Sequence, residues 1–323
     1  MAIPPAYMGY IGYVRITSGA TFGIRCTSCD LMLSQAIEKP EVVSSRFDYT
    51  VYRLGPKEVG GTIAFPAVMD PSGGGVGSVD VVPYIWLATI QRNNDGRMTN
   101  VLEPIKVKYT SDNATFNFHN CLVNSYTFAV TQGDMVNIDL EVFGTSREYL
   151  GSGGGYLSDA ELGGQRNARA LTWNDVYTKV SMDDGSYFTG EYIRSFSFTV
   201  NNNLERFYTL NGCLSPQDIA AKIREITGTM TIMGRHPQLG FNAEQNETRC
   251  FANGAVHFGY YVSTCSANWG VNMPGVVYEI ETMSLSNDLM ETSVNFHALP
   301  GGISTETFVQ SVPAIDKSIC ATL

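Results

Sequence analysis

Along residues 193–201 every second position is apolar: Phe196, Phe198 and Val200 alternate with Ser195, Ser197, Thr199 and Asn201. A period of two sends successive side chains to opposite faces of an extended chain, so this stretch predicts a strand with one wet and one dry face. Val136, Ile138, Leu140 and Val142 alternate with Asn137, Asp139 and Glu141 in the same way, and Val294, Phe296 and Ala298 with Ser293, Asn295 and His297. The run Tyr126-Thr127-Phe128-Ala129-Val130 leads into Thr131-Gln132-Gly133-Asp134, whose glycine suits a hairpin turn. Such alternation marks antiparallel sheets with one face in a core. Helical pattern is scarce. Residues 216–226 predict one helix, with Ser215 placed as its cap, Pro216 in its first turn, and Ile219, Ile223 and Ile226 along one face. Residues 82–91 are almost continuously apolar and end at Asn93-Asn94-Asp95-Gly96, which fits a buried helix or a buried strand equally.

The order of elements then occurs twice. Tyr13-Val14-Arg15-Ile16-Thr17-Ser18-Gly19 runs into residues 26–33 and reaches Ser45-Arg46-Phe47. Tyr177-Thr178-Lys179-Val180-Ser181-Met182-Asp183-Asp184-Gly185 runs into residues 193–200 and reaches Glu205-Arg206-Phe207. Glu58-Val59-Gly60-Gly61-Thr62-Ile63 is echoed by Glu225-Ile226-Thr227-Gly228-Thr229-Met230, and each half closes on a hairpin pattern, over residues 126–143 and 278–298. A unit of that length exceeds the period of about 20–50 residues expected of a solenoid. The pattern therefore predicts two tandem domains of one mainly β fold. The first, with an N-terminal arm, occupies residues 1–150. A glycine-rich linker (Gly151, Gly153, Gly154, Gly155, Gly163, Gly164) spans 151–169, the second domain spans 170–299, and a C-terminal arm spans 300–323.

Composition supports two cores: of 323 residues, 44% are hydrophobic and only 16% charged, below the usual fraction of about 25%. A weakly charged surface points to extensive cover by neighbouring subunits. The net charge of −10 argues against affinity for nucleic acid or for an anionic membrane. No apolar run reaches the roughly 18 residues of a spanning helix. The start has neither a basic region nor an apolar core, so synthesis in a cytoplasm is expected. Seven cysteines then read as free, partly buried thiols.

Candidate chemistry is thin. Gly73-Gly74-Gly75-Val76-Gly77 lacks the lysine and the following helix of a phosphate loop, so it reads as a surface loop. Cys26-Thr27-Ser28-Cys29 has the spacing of a metal knuckle, but no second pair accompanies it, so no metal is expected. The four histidines are scattered, and no catalytic constellation or cofactor motif occurs; the chain reads as a non-enzyme.

Two tandem β-rich units, each ending in a long hairpin, resemble bacteriophage tail tube proteins of the duplicated type. The resemblance rests on the strands at 13–19 and 177–185, the strand starts Gly61-Thr62 and Gly228-Thr229, and the hairpins at 123–144 and 280–298. It implies β-sandwich or partial-barrel domains, each with a short flanking helix, and a fold shared with type VI secretion tube proteins. It further implies a structural virion protein assembled in the host cytoplasm, whose trimeric rings stack into the tail tube. The implied partners are other copies of the chain, a sheath or tail terminator, the baseplate, and the tape measure protein and genomic DNA in the lumen, with no membrane. A different virion component, such as a distal tail ring, a baseplate hub or a capsid decoration protein, is the other reading. Within a tube, Asp139, Glu141, Glu279 and Glu281 are candidates to face the lumen and repel phosphate. Cys320, Cys26 and Cys29 are the candidates to crosslink subunits. Cys320 leads because a terminal arm can adapt to the distances a disulfide demands.

Overall fold

The computed structural model describes residues 13–18, 20–38, 53–69, 85, 89, 102, 104–111, 114–151, 169–181, 187–189, 193–233, 254–262, 267–280, 291–298 and 304–306. The first half contains β1 (Tyr13–Ser18), β2 (Ala20–Arg25), β3 (Ser28–Cys29), β4 (Met32–Glu38) and β5 (Arg53–Pro66). It continues through β6 (Val68–Met69), β7 (Ile105–Ser111), β8 (Ala114–Thr131), β9 (Asn137–Gly144) and β10 (Ser146–Gly151). The second half contains β11 (Arg169–Ala170), β12 (Val176–Ser181), β13 (Tyr187–Thr189), β14 (Ile193–Asn201), β15 (Leu204–Phe207) and β16 (Asp218–Ala221). It ends with β17 (Glu225–Met233), β18 (Gly254–Val262), β19 (Ala267–Ile280), β20 (Glu291–Ala298) and β21 (Ser304–Glu306). The protein is mainly β, and every strand pairing among the described residues is antiparallel, as the alternating pattern predicts.

One sheet crosses the whole chain in the order β4–β5–β9–β8–β14–β17–β20–β19. Two further ribbons branch from its long strands. In the first half the order is β2–β1–β7–β8–β10, and in the second β13–β12–β18–β19–β21. Strand β8 serves both layers. Its first part lies between β7 and β10, and its second part between β9 and β14. The pairings of the first half thus recur in the second in the same order. Register recurs with them: Cys29 sits opposite Ile63 and Leu33 opposite Val59, as Phe196 sits opposite Met230 and Val200 opposite Ile226.

The dry faces form one continuous core across both halves. Val136, Ile138, Leu140 and Val142 are all buried, as are Phe196, Phe198 and Val200, and Val294, Phe296 and Ala298. At its centre Phe128 meets Phe258 edge to face, with ring centroids 4.4 Å apart, and stacks beside Phe198 at 5.8 Å. Phe196 stacks on Phe258 at 4.8 Å and on Phe296 at 5.8 Å. Burying each such ring stabilises the fold by about 1.5–3 kcal/mol, and offset or edge contacts between rings add about 0.5–1.5 kcal/mol. Gly228 makes room for this cluster, since a Cβ there would lie 2.0 Å from the ring of Phe296. Gly61 has φ +147° and would drive a Cβ to 2.3 Å from the carbonyl oxygen of Asp30, so the approach of the β3–β4 segment to β5 requires a residue without one.

The helix expected over 216–226 is absent: Asp218–Ala221 and Glu225–Met233 are strands. Its supposed apolar face fails at Ile223, which is 80% exposed, whereas Ile219 and Ile226 are buried in separate clusters. Cross-strand partners override the local periodicity. β16 pairs with β15 as a short hairpin, and β17 is held between β14 and β20. In the ambiguous stretch 82–91, the described residues Ile85 and Thr89 are helical and buried, and the Thr89 hydroxyl donates to the Ile85 carbonyl at 2.8 Å.

Two core substitutions follow. Phe198→Ala is expected to lower unfolding free energy by about 3–5 kcal/mol, and Gly228→Ala by about 1–3 kcal/mol through overpacking against Phe296. Thr229→Ala, on the exposed face next to Gly228, removes one hydroxyl pair with Ser197 and is expected to cost no more than about 1 kcal/mol. Urea unfolding reads all three, and an unchanged midpoint for Gly228→Ala would show that the Phe296 ring is free to move aside.

Candidate functional site

The eight-strand sheet has a second face opposite its core, and strand parity decides what stands there. In one row Asp139, Thr127, Thr199, Thr227 and His297 lie side by side on successive strands. The neighbouring rows carry Glu141, Ser125, Asn201 and Glu225, and Asn137, Ala129, Ser197, Thr229, Asn295 and Glu279. Hydroxyls pair across strands: Thr127 with Thr199 at 2.9 Å, Ser195 with Thr231 at 2.8 Å and Ser197 with Thr229 at 2.8 Å. Such pairs contribute about 0.2–1 kcal/mol each. In each pair one hydroxyl donates and the other accepts, so one of the two O–H donors is engaged.

Three of the four acidic residues singled out from sequence share this face. Asp139 is exposed on β9. Glu141 is half-buried and accepts a hydrogen bond from the side-chain amide of Asn124. Glu279 is exposed on β19, 3.5 Å from the ring nitrogen of His297. Glu281 lies outside the described residues. Asp30 and Glu225 add two more exposed carboxylates to the same face. The cation Arg194 is engaged by Glu291. Among the described residues no group of three or more His, Cys, Asp or Glu side chains is placed to hold a metal ion.

The join between the halves is built by residues that sequence reasoning passed over. β14 and β8 pair from Ser195 opposite Thr131 to Asn201 opposite Ser125. Just beyond, Asn202 is fully buried. Its backbone N–H donates to the Asn124 carbonyl at 2.7 Å. Its side-chain amide donates to the carbonyls of Val123 at 2.8 Å and Thr89 at 3.2 Å, while its Oδ1 accepts from Arg224 Nε at 2.6 Å. Burial pulls the pKa of Arg224 down from the usual guanidinium value. The β15–β16 hairpin then folds back over the first half. Arg206 lies over the Phe143 ring at 3.9 Å and donates to the Val59 carbonyl at 3.0 Å, and the Tyr208 hydroxyl donates to the Lys57 carbonyl at 3.0 Å. The signal for Asn202 was the run Asn201-Asn202-Asn203 closing an alternating strand, where only the middle residue has core parity.

Cys26 and Cys29 are half-buried and pack against the core. Burial is the main cause pushing the Cys29 thiol up, which lowers its thiolate fraction and its readiness for disulfide exchange. Cys121 is buried with its thiol pushed up to about 12, and Cys213 is exposed. Cys320 lies outside the described residues.

Residues 17–232 match the family model described as phage tail tube protein, a span from β1 into β17 that covers more than half of the 323 residues. No curated protein matches the chain.

Two measurements check this geometry. Asn202→Ala removes a donor from Val123 and an acceptor from Arg224 inside the join, so a loss of about 1–3 kcal/mol is expected in urea unfolding. A change within error of an exposed Asn→Ala control would refute the role. For the thiols, a pKa near 12 at Cys121 leaves a thiolate fraction of about one in ten thousand at pH 8. Native protein should therefore be modified by a thiol-disulfide reagent at Cys213, with Cys121 reacting only on unfolding. Equal native rates at the two would contradict the burial argument.

Proposed function

The chain belongs to the phage tail tube protein family, a structural component of the virion tail, and from this premise we propose that three copies close into a ring and that rings stack into the tube through which the genome passes. The observation that carries the proposal is the sheet order. Strands β4–β5–β9–β8 of the first half and β14–β17–β20–β19 of the second follow each other in one sheet, with the same internal pairing order. That recurrence supports a tandem duplication with a first domain in residues 1–150, a linker at 151–169 and a second domain from residue 170, whose ribbon extends beyond the expected boundary at 299 into the expected arm at 300–323 through β21. Three such chains supply six equivalent units. A heterologous contact repeated around an axis closes a ring, and a second, open contact along the axis builds a tube.

In this assembly the polar face of the sheet lines the lumen. Asp139, Glu141 and Glu279, joined by Asp30 and Glu225, present negative charge to passing DNA, and cross-strand pairing engages one of the two hydroxyl donors in each pair between them. A wall of this kind excludes counterion-releasing contacts, which are what bind proteins to a nucleic acid backbone. The core-facing side of the same strands holds the two halves of each chain together, so a single alternation serves both tasks. The tape measure protein occupies the same lumen before DNA does, and a sheath or tail terminator and the baseplate meet the outside and the ends of the tube.

Electron microscopy of the purified protein tests the assembly: tubes whose rings contain three chains are expected, and rings of six chains, or closed rings that never stack, would overturn it. The lumen assignment is read in virions carrying Asp139→Lys and Glu141→Lys. Rings should still form while genome ejection slows, because each new cation attracts passing phosphates. Ejection at the native rate would refute the sliding role of these positions.

A further inference from the structure

The loop between β15 and β16 sets a side-chain amide beside a main-chain nitrogen able to displace it. Residues 208–217 join the two strands, and Asn211, Gly212 and Cys213 are all exposed there. The Cys213 N–H donates to Oδ1 of Asn211 at 3.0 Å, a turn in which an asparagine side chain accepts from the backbone further along. Gly212 has φ +79°, and a Cβ built on it would meet nothing within 4 Å, so the chain is open to solvent at this point. Among the described residues no hydrogen bond holds the Gly212 N–H. We propose that Asn211 is a site of spontaneous covalent modification, at which the side-chain amide is lost through a cyclic imide and the residue becomes isoaspartate or aspartate.

The chemistry needs only water. Solvent hydroxide takes the proton of the Gly212 N–H, and the nitrogen attacks Cγ of Asn211. The Cys213 N–H bonded to Oδ1 polarises that carbonyl and meets the negative charge that gathers on its oxygen, as a donor of an oxyanion hole does. Cγ then loses its amide nitrogen, which takes a proton from water and leaves as ammonia, and an imide ring joins residues 211 and 212. Water reopens the ring at either carbonyl. Cleavage at the main-chain carbonyl leaves the chain running through Cγ, which is isoaspartate, and cleavage at Cγ leaves aspartate. Glycine at 212 presents no side chain to crowd the attacking nitrogen.

The run 201–203 shows the protected case. There the nitrogen following each asparagine is engaged: Asn202 donates to the Asn124 carbonyl, Asn203 to Oδ1 of Asn201, and Leu204 to Oδ1 of Asn124. Position 211 also matters to the fold. The loop grips β5 on both sides of it, since the Tyr208 hydroxyl donates to the Lys57 carbonyl at 3.0 Å and the Lys57 N–H donates to the Leu214 carbonyl at 2.7 Å. Isoaspartate lengthens the main chain between these two anchors by a methylene. The grip of the second half on the first therefore loosens as the chain ages.

Peptide mass spectrometry of the full chain tests the site. Protein is held at mildly alkaline pH, native or unfolded in guanidinium chloride, then digested at acid pH, and isoaspartate is confirmed by enzymatic methylation. Asn211 is expected to convert in native protein at least as fast as in unfolded protein, while Asn201, Asn202 and Asn203 convert only after unfolding. A native rate at Asn211 below the unfolded rate, or native conversion at 201–203 that keeps pace with it, overturns the proposal. Hydrogen exchange reads the consequence. The Lys57 amide should exchange faster in converted protein than in fresh protein, and equally slowly in fresh and aged Asn211→Ser, which has no amide to lose. Unchanged exchange at Lys57 in converted protein overturns the loosening. Should Asn211→Ser fail to fold, wild-type protein stored for the same time at mildly acid pH supplies the unconverted reference.

Discussion

Everything in this structure depends on the antiparallel pairing of β14 with β8. Seven successive residues of each strand are in register, from Ser195 opposite Thr131 to Asn201 opposite Ser125. That pairing converts two four-strand sheets into one and brings Phe128 of the first half against Phe198 and Phe258 of the second. Because a slip of one residue would turn Phe196, Phe198 and Val200 to the polar side, the buried aromatic cluster enforces the register that the backbone hydrogen bonds permit. Each half supplies rings that the other needs, so the core is continuous across a boundary where two separate cores would otherwise be expected.

The join is finished at one end by polar groups used sparingly. Asn202 is buried with its amide and carbonyl both engaged, and it links the Val123 and Thr89 carbonyls to the Arg224 guanidinium. A buried polar group so fully bonded specifies one arrangement, since any displaced alternative leaves it unpaired at a free-energy loss of about 1–3 kcal/mol. The β15–β16 hairpin adds a clamp by laying Arg206 on Phe143 and bonding Val59. The clamp spans from the second half to the first, so it too favours one relative placement of the halves.

The opposite face of the same strands is polar, and the proposed tube requires that it not be sticky. Threonine and serine satisfy a strand's preference for β-branched or small residues while pairing their hydroxyls with each other. Carboxylates are interspersed, and Arg194 is engaged by Glu291. A surface of paired hydroxyls and exposed carboxylates fits the lumen proposed above, past which a polyanion has to move.

The sequence by itself determined the strands and their faces. Alternation at 136–142, 193–201 and 293–298 placed every buried residue there correctly, because a half-buried strand writes its period directly into the chain. It also brought out Asp139, Glu141 and Glu279, which the structure places on one face because all three occupy polar positions in strands of one sheet. What the sequence did not carry was the choice of partners. Residues 216–226 have a helical pattern with a capping serine, yet they form parts of two strands, because β15, β14 and β20 present edges whose hydrogen bonds outweigh a local preference worth a few tenths of a kcal/mol per residue, roughly. The burial of Asn202 and the reach of Arg206 across to Val59 were likewise decided only by tertiary structure, since each depends on a residue 79 or 147 positions away that no local pattern can specify.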